Sequence, residues 1–152
     1  MARLVLLDSG PLGLVTHPRG GRDARDAKDW LAGLLAARVQ VRVPEIADYE
    51  TRRELVRAGR TGGVGRLDEL GRSVGYVPLT TGTMRRAADF WASARTRGRP
   101  TAPDHALDGD VILAAQAAEL TAGGDDVVVA TTNVGHLSRF VAASHWSEVG
   151  VG

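Results

Sequence analysis

The feature that most constrains this chain is the run Leu4-Val5-Leu6-Leu7, closed by Asp8-Ser9-Gly10-Pro11. A strand with one face in water alternates apolar and polar residues. A run that is apolar at every position is buried on both faces, which happens where helices cover both sides of a parallel sheet. Further strands are predicted at Val39–Val43, Gly75–Leu79 and Asp126–Ala130, with a weak last one near Trp146. Helices are predicted between them. Leu12–Thr16 is a short turn, and Asp23–Ala37 carries Ala27, Trp30, Leu31, Leu34 and Leu35 on one face. Pro44 suits the first turn of a helix reaching about Ala58. A Gly-containing loop, with Gly62-Gly63-Val64-Gly65 read as loop, leads to a short helix around Val64–Arg72, and Thr80 or Thr81 caps one over Thr83–Arg97. Gly98–Leu107 reads as a loop, Asp108 or Gly109 opens an apolar helix over Val111–Leu120, and Val134–Phe140 is a short helix. Strands alternating with helices specify an α/β chain of three layers (α/β/α) around a central, mostly parallel sheet. Its 152 residues fit one domain, 1–152, without repeat or linker.

Composition removes several classes of function. There is no cysteine, hence no disulfide and no thiolate zinc site. His17, His105, His136 and His145 are scattered, with no H-x-x-x-H pair. The N-terminal apolar run is too short for a signal peptide. No stretch approaches the roughly 20 apolar residues that cross a bilayer. The expectation is a soluble, cytoplasmic protein with no membrane contact. Net charge is +1, so no bulk field points to nucleic acid. Of 19 basic residues only Lys28 is lysine, a bias that genomic base composition largely explains. A G-x-S-x-G elbow, a Walker A sequence and a strand-linked G-x-G-x-x-G are all missing, which leaves serine-hydrolase, nucleotide-fuelled and hydride chemistry without support.

In an open parallel sheet, sites form beyond the C-terminal ends of the strands. The first strand ends there in Asp8-Ser9 and the fourth in Thr131-Thr132-Asn133. Helices contribute Glu50 and the pair Asp108 and Asp110. Each has a structural explanation: Asp8 as an Asx-turn, Asp108 and Asp110 as cap and first-turn acid, Glu50 as partner of nearby arginines, Asn133 as a helix cap. The combination points further. Converging carboxylates raise one another's pKa unless a cation joins them, and Mg²⁺ or Mn²⁺ are hard ions that take oxygen ligands. Such an ion activates water and neutralises charge on a phosphodiester.

Leu6-Leu7-Asp8-Ser9-Gly10-Pro11-Leu12 resembles the opening of PIN-domain proteins, in which an aspartate follows the first strand. Val43–Glu50 is similar to that family's second strand and helix, with the acid at Glu50. Asp110-Val-Ile-Leu-Ala-Ala-Gln-Ala117 resembles its D-x-x-I-A-A-x-A helix start, and Thr131-Thr-Asn133-Val-Gly-His-Leu137 its strand-end T-x-[DN] motif. The resemblance spans about residues 3–140. It implies a PIN-like fold and a Mg²⁺- or Mn²⁺-dependent endoribonuclease of the toxin type. Such a protein, one half of a type II toxin–antitoxin pair, hydrolyses RNA with a metal-activated water, binds a cognate antitoxin and forms a homodimer. It carries over Asp8, Glu50 and Asp110 as metal and catalytic acids and Asn133 as a catalytic position where many members have Asp. Asp108, an extra acid nearby, is a substitute metal ligand.

RNA contacts are expected from Arg19 and Arg22 in the first loop, Arg52 and Arg53 beside Glu50, and Arg97 and Arg99 before Asp110. The apolar side chains Trp30 and Phe90-Trp91 are candidates for the dimer face or for ordinary core. The alternative is a catalytically weak or inactive PIN module that binds RNA or a protein partner, favoured by Asn133 and opposed by the three acids. A phosphatase or nucleotidase lacks its D-x-D pattern, because residue 10 is glycine. If the site model holds, the first strand is central, the fourth lies beside it, and Asp8 and Asn133 are neighbours.

Overall fold

The computed structural model describes residues 3–97 and 104–151, with the side chains of 97 and 104–106 outside the description. Five strands form one sheet: β1 (Arg3–Leu7), β2 (Gln40–Pro44), β3 (Tyr76–Val77), β4 (Asp126–Thr131) and β5 (Ala143–His145). Their order is β3-β2-β1-β4-β5, and every pairing is parallel. β1 is therefore central, and Leu4–Leu7 register against Val127–Ala130 of β4. Leu4 to Leu7 are each at most 1% exposed, as a strand covered on both faces requires.

Successive side chains of β1 serve different layers. Val5 and Leu7 pack in a cluster with Leu12 of α1 (Ser9–Thr16) and Ala27, Leu31 and Leu34 of α2 (Arg22–Ala36). Leu4 and Leu6 pack instead with Leu113 and Ala117 of α6 (Asp104–Ala122), Val127 and Val129 of β4, and Leu137 of α7 (Val134–Leu137). Trp30 packs, partly buried, against the cluster of Val5 and Leu7: its ring lies 5.6 Å from that of Trp146, and its Nε1–H donates to the Val149 carbonyl at 2.8 Å.

Two connections differ from the sequence reading. Gly62–Gly65 is helical, part of α4 (Thr61–Val74), which packs on α3 (Glu45–Arg57). Glycine is a poor helix former, yet here Gly63 is buried and a Cβ on it would stand 2.7 Å from a Leu55 methyl, so any larger residue would have to push the Leu55 side chain aside. The helix bearing Asp108 and Asp110 also begins earlier, at Asp104, so 104–107 are not loop. Leu107 explains the extra turn. It is 5% exposed and packs with Val111, one turn on, and with Ala87 of α5 (Thr81–Arg97). The other predicted cap is confirmed, since Thr80 Oγ1 accepts from the Thr83 N–H at 3.0 Å and opens α5. Among the described residues no helix is long and apolar enough to cross a membrane.

Candidate functional site

The carboxyl ends of β1 and β4 meet at Asp8. Its backbone N–H donates to the Ala130 carbonyl at 3.0 Å, which extends the ladder by one residue and turns the side chain over the sheet edge. Asp8 caps α1, with Oδ1 accepting from the Ser9 N–H at 2.7 Å, while Oδ2 accepts from the Thr131 hydroxyl at 2.7 Å. Thr131 Oγ1 in turn accepts from the Asn133 N–H at 2.8 Å, which brings Asn133 beside Asp8 as expected from the sheet order. Asn133 itself is exposed and precedes α7 without a side-chain cap bond. Asp8 thus has its structural role as a cap, but a cap is normally a solvated carboxylate and Asp8 is only 8% exposed. Burial pushes its pKa up, against the opposing pull of the Thr131 and Ser9 bonds.

Two more acids share this neighbourhood. Glu50 lies on α3, on the helical face that also buries Ile46 and Ala47. Its pKa is raised by burial first, then by the charge on Asp8, with a further push from Asp110 and an opposing pull from Arg53. Asp110 is raised by burial and by Asp8, while His136 and Arg139 pull it down. His136 Nδ1 lies 3.2 Å from Asp110 Oδ2, a distance at which the ring N–H donates to the carboxylate. Gly109 makes room for this arrangement, because a Cβ there would stand 2.7 Å from Glu50 Oε2.

Gln116 fixes the two acid-bearing helices to the sheet. It is fully buried; its Nε2 donates to the Val77 carbonyl at 2.7 Å and its Oε1 accepts from the Ile46 N–H at 3.4 Å. That single amide ties α6 to the end of β3 and to the first turn of α3. Thr131, Gln116 and His136 were all within the motifs that carried the resemblance. Their roles depend on long-range contacts that spacing does not encode.

The remaining candidates lie elsewhere. Asp108 and Asp110 sit two residues apart on one helix and so face nearly opposite directions. Asp108 is exposed and lines an apolar cleft of about 390 Å³ with Met84, Ala87, Trp91 and Val111, away from the other acids. The Arg52 guanidinium is already engaged, by Asp48 on its own helix at 2.8 Å and by Asp68 on α4 at 2.7 Å, and it clamps α3 to α4. Arg53 lies over the Tyr49 ring, 5.1 Å from its centre, at the edge of the acids. Arg19 is exposed, with its backbone N–H on His17 Nδ1, and Arg22 faces Asp26 at 3.8 Å on the open side of α2. The Arg97 side chain and Arg99 lie outside the described residues.

Three carboxylates, from a strand end and two helices, therefore lie near enough at the carboxyl edge of a parallel sheet for the charge on Asp8 to raise Glu50 and Asp110. Their donor set is all oxygen and suits a hard divalent cation better than zinc or copper. Among the described residues no three His, Cys, Asp or Glu side chains are gathered closely enough to hold an ion unaided. Mg²⁺ keeps several waters and needs few protein ligands, so the residues fit an ion bridged partly through water.

No protein-family model matches the sequence, and no curated protein sequence matches it significantly. The architecture defines the class: this is a PIN-like α/β/α domain with an all-parallel five-stranded sheet. Solved structures share it. One is a chain of VapBC2 from Rickettsia felis, in a structure bound to a DNA fragment from their promoter. It has a TM-score of 0.68 and 10% identity over 94% of this chain and 98% of that one. Another is a chain of VapBC-1 from nontypeable Haemophilus influenzae, with a TM-score of 0.62 and 16% identity over 95% of this chain and 99% of that one. At such identities the likeness is one of fold.

Proposed function

We propose that this protein is a Mg²⁺- or Mn²⁺-dependent endoribonuclease, the toxin half of a type II toxin–antitoxin pair with a cognate antitoxin as its partner. The observation that carries the reading is the meeting of Asp8, Glu50 and Asp110 at the carboxyl ends of β1 and β4. Burial raises all three, and the charge on Asp8 raises the other two further, an arrangement that a bound cation relieves. The likeness in fold to chains of VapBC complexes supports the toxin assignment.

In this reading Asp8, Glu50 and Asp110 hold the ion. When bound, it supplies a Lewis acid beside the scissile phosphate and lowers the pKa of a coordinated water. The chain's own residues do the positioning. Ser9 and Thr131 fix the Asp8 carboxylate, His136 fixes Asp110, and the missing side chain of Gly109 leaves Glu50 its place. Arg53, at the rim, takes a substrate phosphate through its planar fork.

The test separates chemistry from binding. Asp110→Asn abolishes Mn²⁺-dependent cleavage of a mixed RNA pool, while metal-free RNA binding survives or tightens because one repulsive charge is gone. Full cleavage by Asp110→Asn removes that residue from the site. A wild-type protein that binds RNA but cleaves none with any divalent ion leaves the non-catalytic module ahead, the reading that exposed Asn133 favours.

A further inference from the structure

Helix α3, which carries Glu50, starts without a cap of its own. Pro44 stands at its N-cap position and makes no side-chain bond there, because a proline ring carries no acceptor. A helix leaves its first N–H groups without partners inside the helix. The N–H of the second helical residue is one that an N-cap side chain ordinarily takes. In α3 that N–H belongs to Ile46, and its acceptor comes from another helix: Gln116 Oε1 of α6, at 3.4 Å. The Nε2 of the same amide donates to the Val77 carbonyl at 2.7 Å and to the Pro78 carbonyl at 3.3 Å. Gln116 stands between buried Ala115 and Ala117 and has no exposed surface. An amide is costly in such a place unless both of its ends are bonded, and here both are.

The position of Gln116 along α6 matters as much as its bonds. Ile46 and Glu50 are four residues apart, about 6 Å along the axis of α3. Gly109 and Gln116 are seven apart, two turns of α6, and so share one face of it. Both meet α3. Gln116 bonds to Ile46, and Gly109 passes so near Glu50 that a Cβ would stand 2.7 Å from Oε2. The helices therefore touch in antiparallel sense at two places, 116 against 46 and 109 against 50. Apolar packing joins them as well, since Ile46 shares a cluster with Leu113 and Ala117. Apolar contact is non-directional; it keeps the helices together but lets one slide along the other. The close approach at Gly109 sets a limit without attraction. The Gln116 amide adds a directional bond, which neither of these supplies.

We propose that Gln116 is a positioning residue for the ion site: by capping α3 from α6, it sets the axial register of the helix that carries Glu50 against the helix that carries Asp110. The inference rests on the metal-dependent nuclease reading and adds to it a residue that touches neither ion nor substrate. A slip of α3 by one residue of helix rise is about 1.5 Å. Ligand distances in a metal site are held to within about 0.2 Å, so a slip far smaller than one residue already spoils the site.

The experiment measures the register and the ion affinity separately. The chain has no cysteine, so spin labels go only where cysteines are introduced. Val56→Cys on α3 and Thr121→Cys on α6, both exposed, report the separation of the two helices by double electron–electron resonance in chelator, without metal or turnover. Gln116→Met keeps the length of the side chain and removes its bonds. Gln116→Asn keeps the amide but falls one methylene short of Ile46, and it carries the test if Gln116→Met does not fold. In either variant the distance distribution shifts or widens by about 1.5 Å, one residue of rise. The Mn²⁺ Kd of the unlabelled protein, by calorimetry, rises by about tenfold or more, the scale on which loss of an outer partner weakens a metal site. In RNA cleavage the loss falls on kcat and leaves KM as in wild type, because Gln116 touches no substrate. Leu31→Ala, on α2, costs stability in the core and, where folded, changes neither distance nor Kd. Wild-type distance and wild-type affinity in both Gln116 variants overturn the proposal, and if Asp110→Asn still abolishes cleavage the ribonuclease reading stands without it. An altered distance with wild-type affinity overturns it too and leaves Gln116 to the fold alone. Weakened affinity at an unchanged distance, or an equal loss in Leu31→Ala, overturns register as the cause. A wild type that neither binds Mn²⁺ nor cleaves RNA overturns the ribonuclease reading and this proposal with it.

Discussion

Replacing Asp8 by asparagine should make the metal-free protein more stable and the metal-loaded protein less so. The asparagine keeps the shape of the side chain and accepts from the Ser9 N–H as before; Asn and Asp are nearly equal as caps. Its NH₂ group, standing in place of Oδ2, cannot accept from Thr131, whose oxygen already receives the Asn133 N–H. The Thr131 hydroxyl thus loses an acceptor, at about 1 kcal/mol. Against this stands the removal of a carboxylate that is 8% exposed and pushed up by burial beyond what its hydrogen bonds recover. Stabilising single substitutions commonly yield about 0.5–2 kcal/mol, and relieving a destabilised functional site is one route to them. For a chain of this length that is roughly 1–8 °C in melting temperature, at about 2–4 °C per kcal/mol. The pH dependence has a definite sign. A carboxyl whose folded pKa lies above its ordinary 3.8 adds stability below that value and loses it as pH rises through the folded pKa. Wild type and Asp8→Asn therefore converge in acid and separate in favour of the variant as pH rises. Mn²⁺ at about 100 times its Kd reverses the order, adding about 2.7 kcal/mol to wild type. The assay is thermal unfolding in chelator and in Mn²⁺ from pH 4 to 8. A variant less stable than wild type in chelator at pH 7.5, or a difference that does not change with pH, refutes the reasoning.

Substitutions at two further positions test the placing of the other acids. Gly109→Ala places a methyl 2.7 Å from Glu50 Oε2, so the carboxylate must shift; it gains about 0.5–1 kcal/mol of helix propensity yet weakens Mn²⁺ binding by calorimetry, and undiminished binding means Glu50 is not held there. His136→Asn keeps a donor at the position of Nδ1, whereas His136→Gln carries its amide one bond further out; metal affinity and cleavage should survive in the first and fall in the second, and equal loss in both reduces His136 to packing.

The sheet was legible because it is written in local pattern. Leu4–Leu7 is apolar at every position, and only a central parallel strand buries every one of them. From that, the neighbourhood of β4 and the placement of Asp8 beside Asn133 follow by topology alone. Legibility failed where a tertiary contact outweighs a local preference. Gly62–Gly65 looks like loop because glycine disfavours helix, but Gly63 lets α4 settle against Leu55, and that packing wins. Asp108 looks like a cap because an acid before an apolar run is the usual start signal. Leu107, one residue earlier, instead fills the space between α5 and α6 and extends the helix by a turn.

The misplaced helix start had a consequence for the site. As a first-turn acid, Asp110 would need no function, since the helix dipole alone accounts for it. In the second turn of α6 that explanation is gone. Asp110 faces His136 and shares a field with Asp8 and Glu50, while Asp108, on the other side of the helix, lines a different cleft that Trp91 also lines. Periodicity separates the two acids only once the true start of the helix is known. The arginines follow the same logic: adjacent positions 52 and 53 point in different directions, so Arg52 joins Asp48 and Asp68 in holding α3 to α4 and Arg53 reaches the acid edge. A pair that looks equivalent in sequence is thereby divided between structure and substrate.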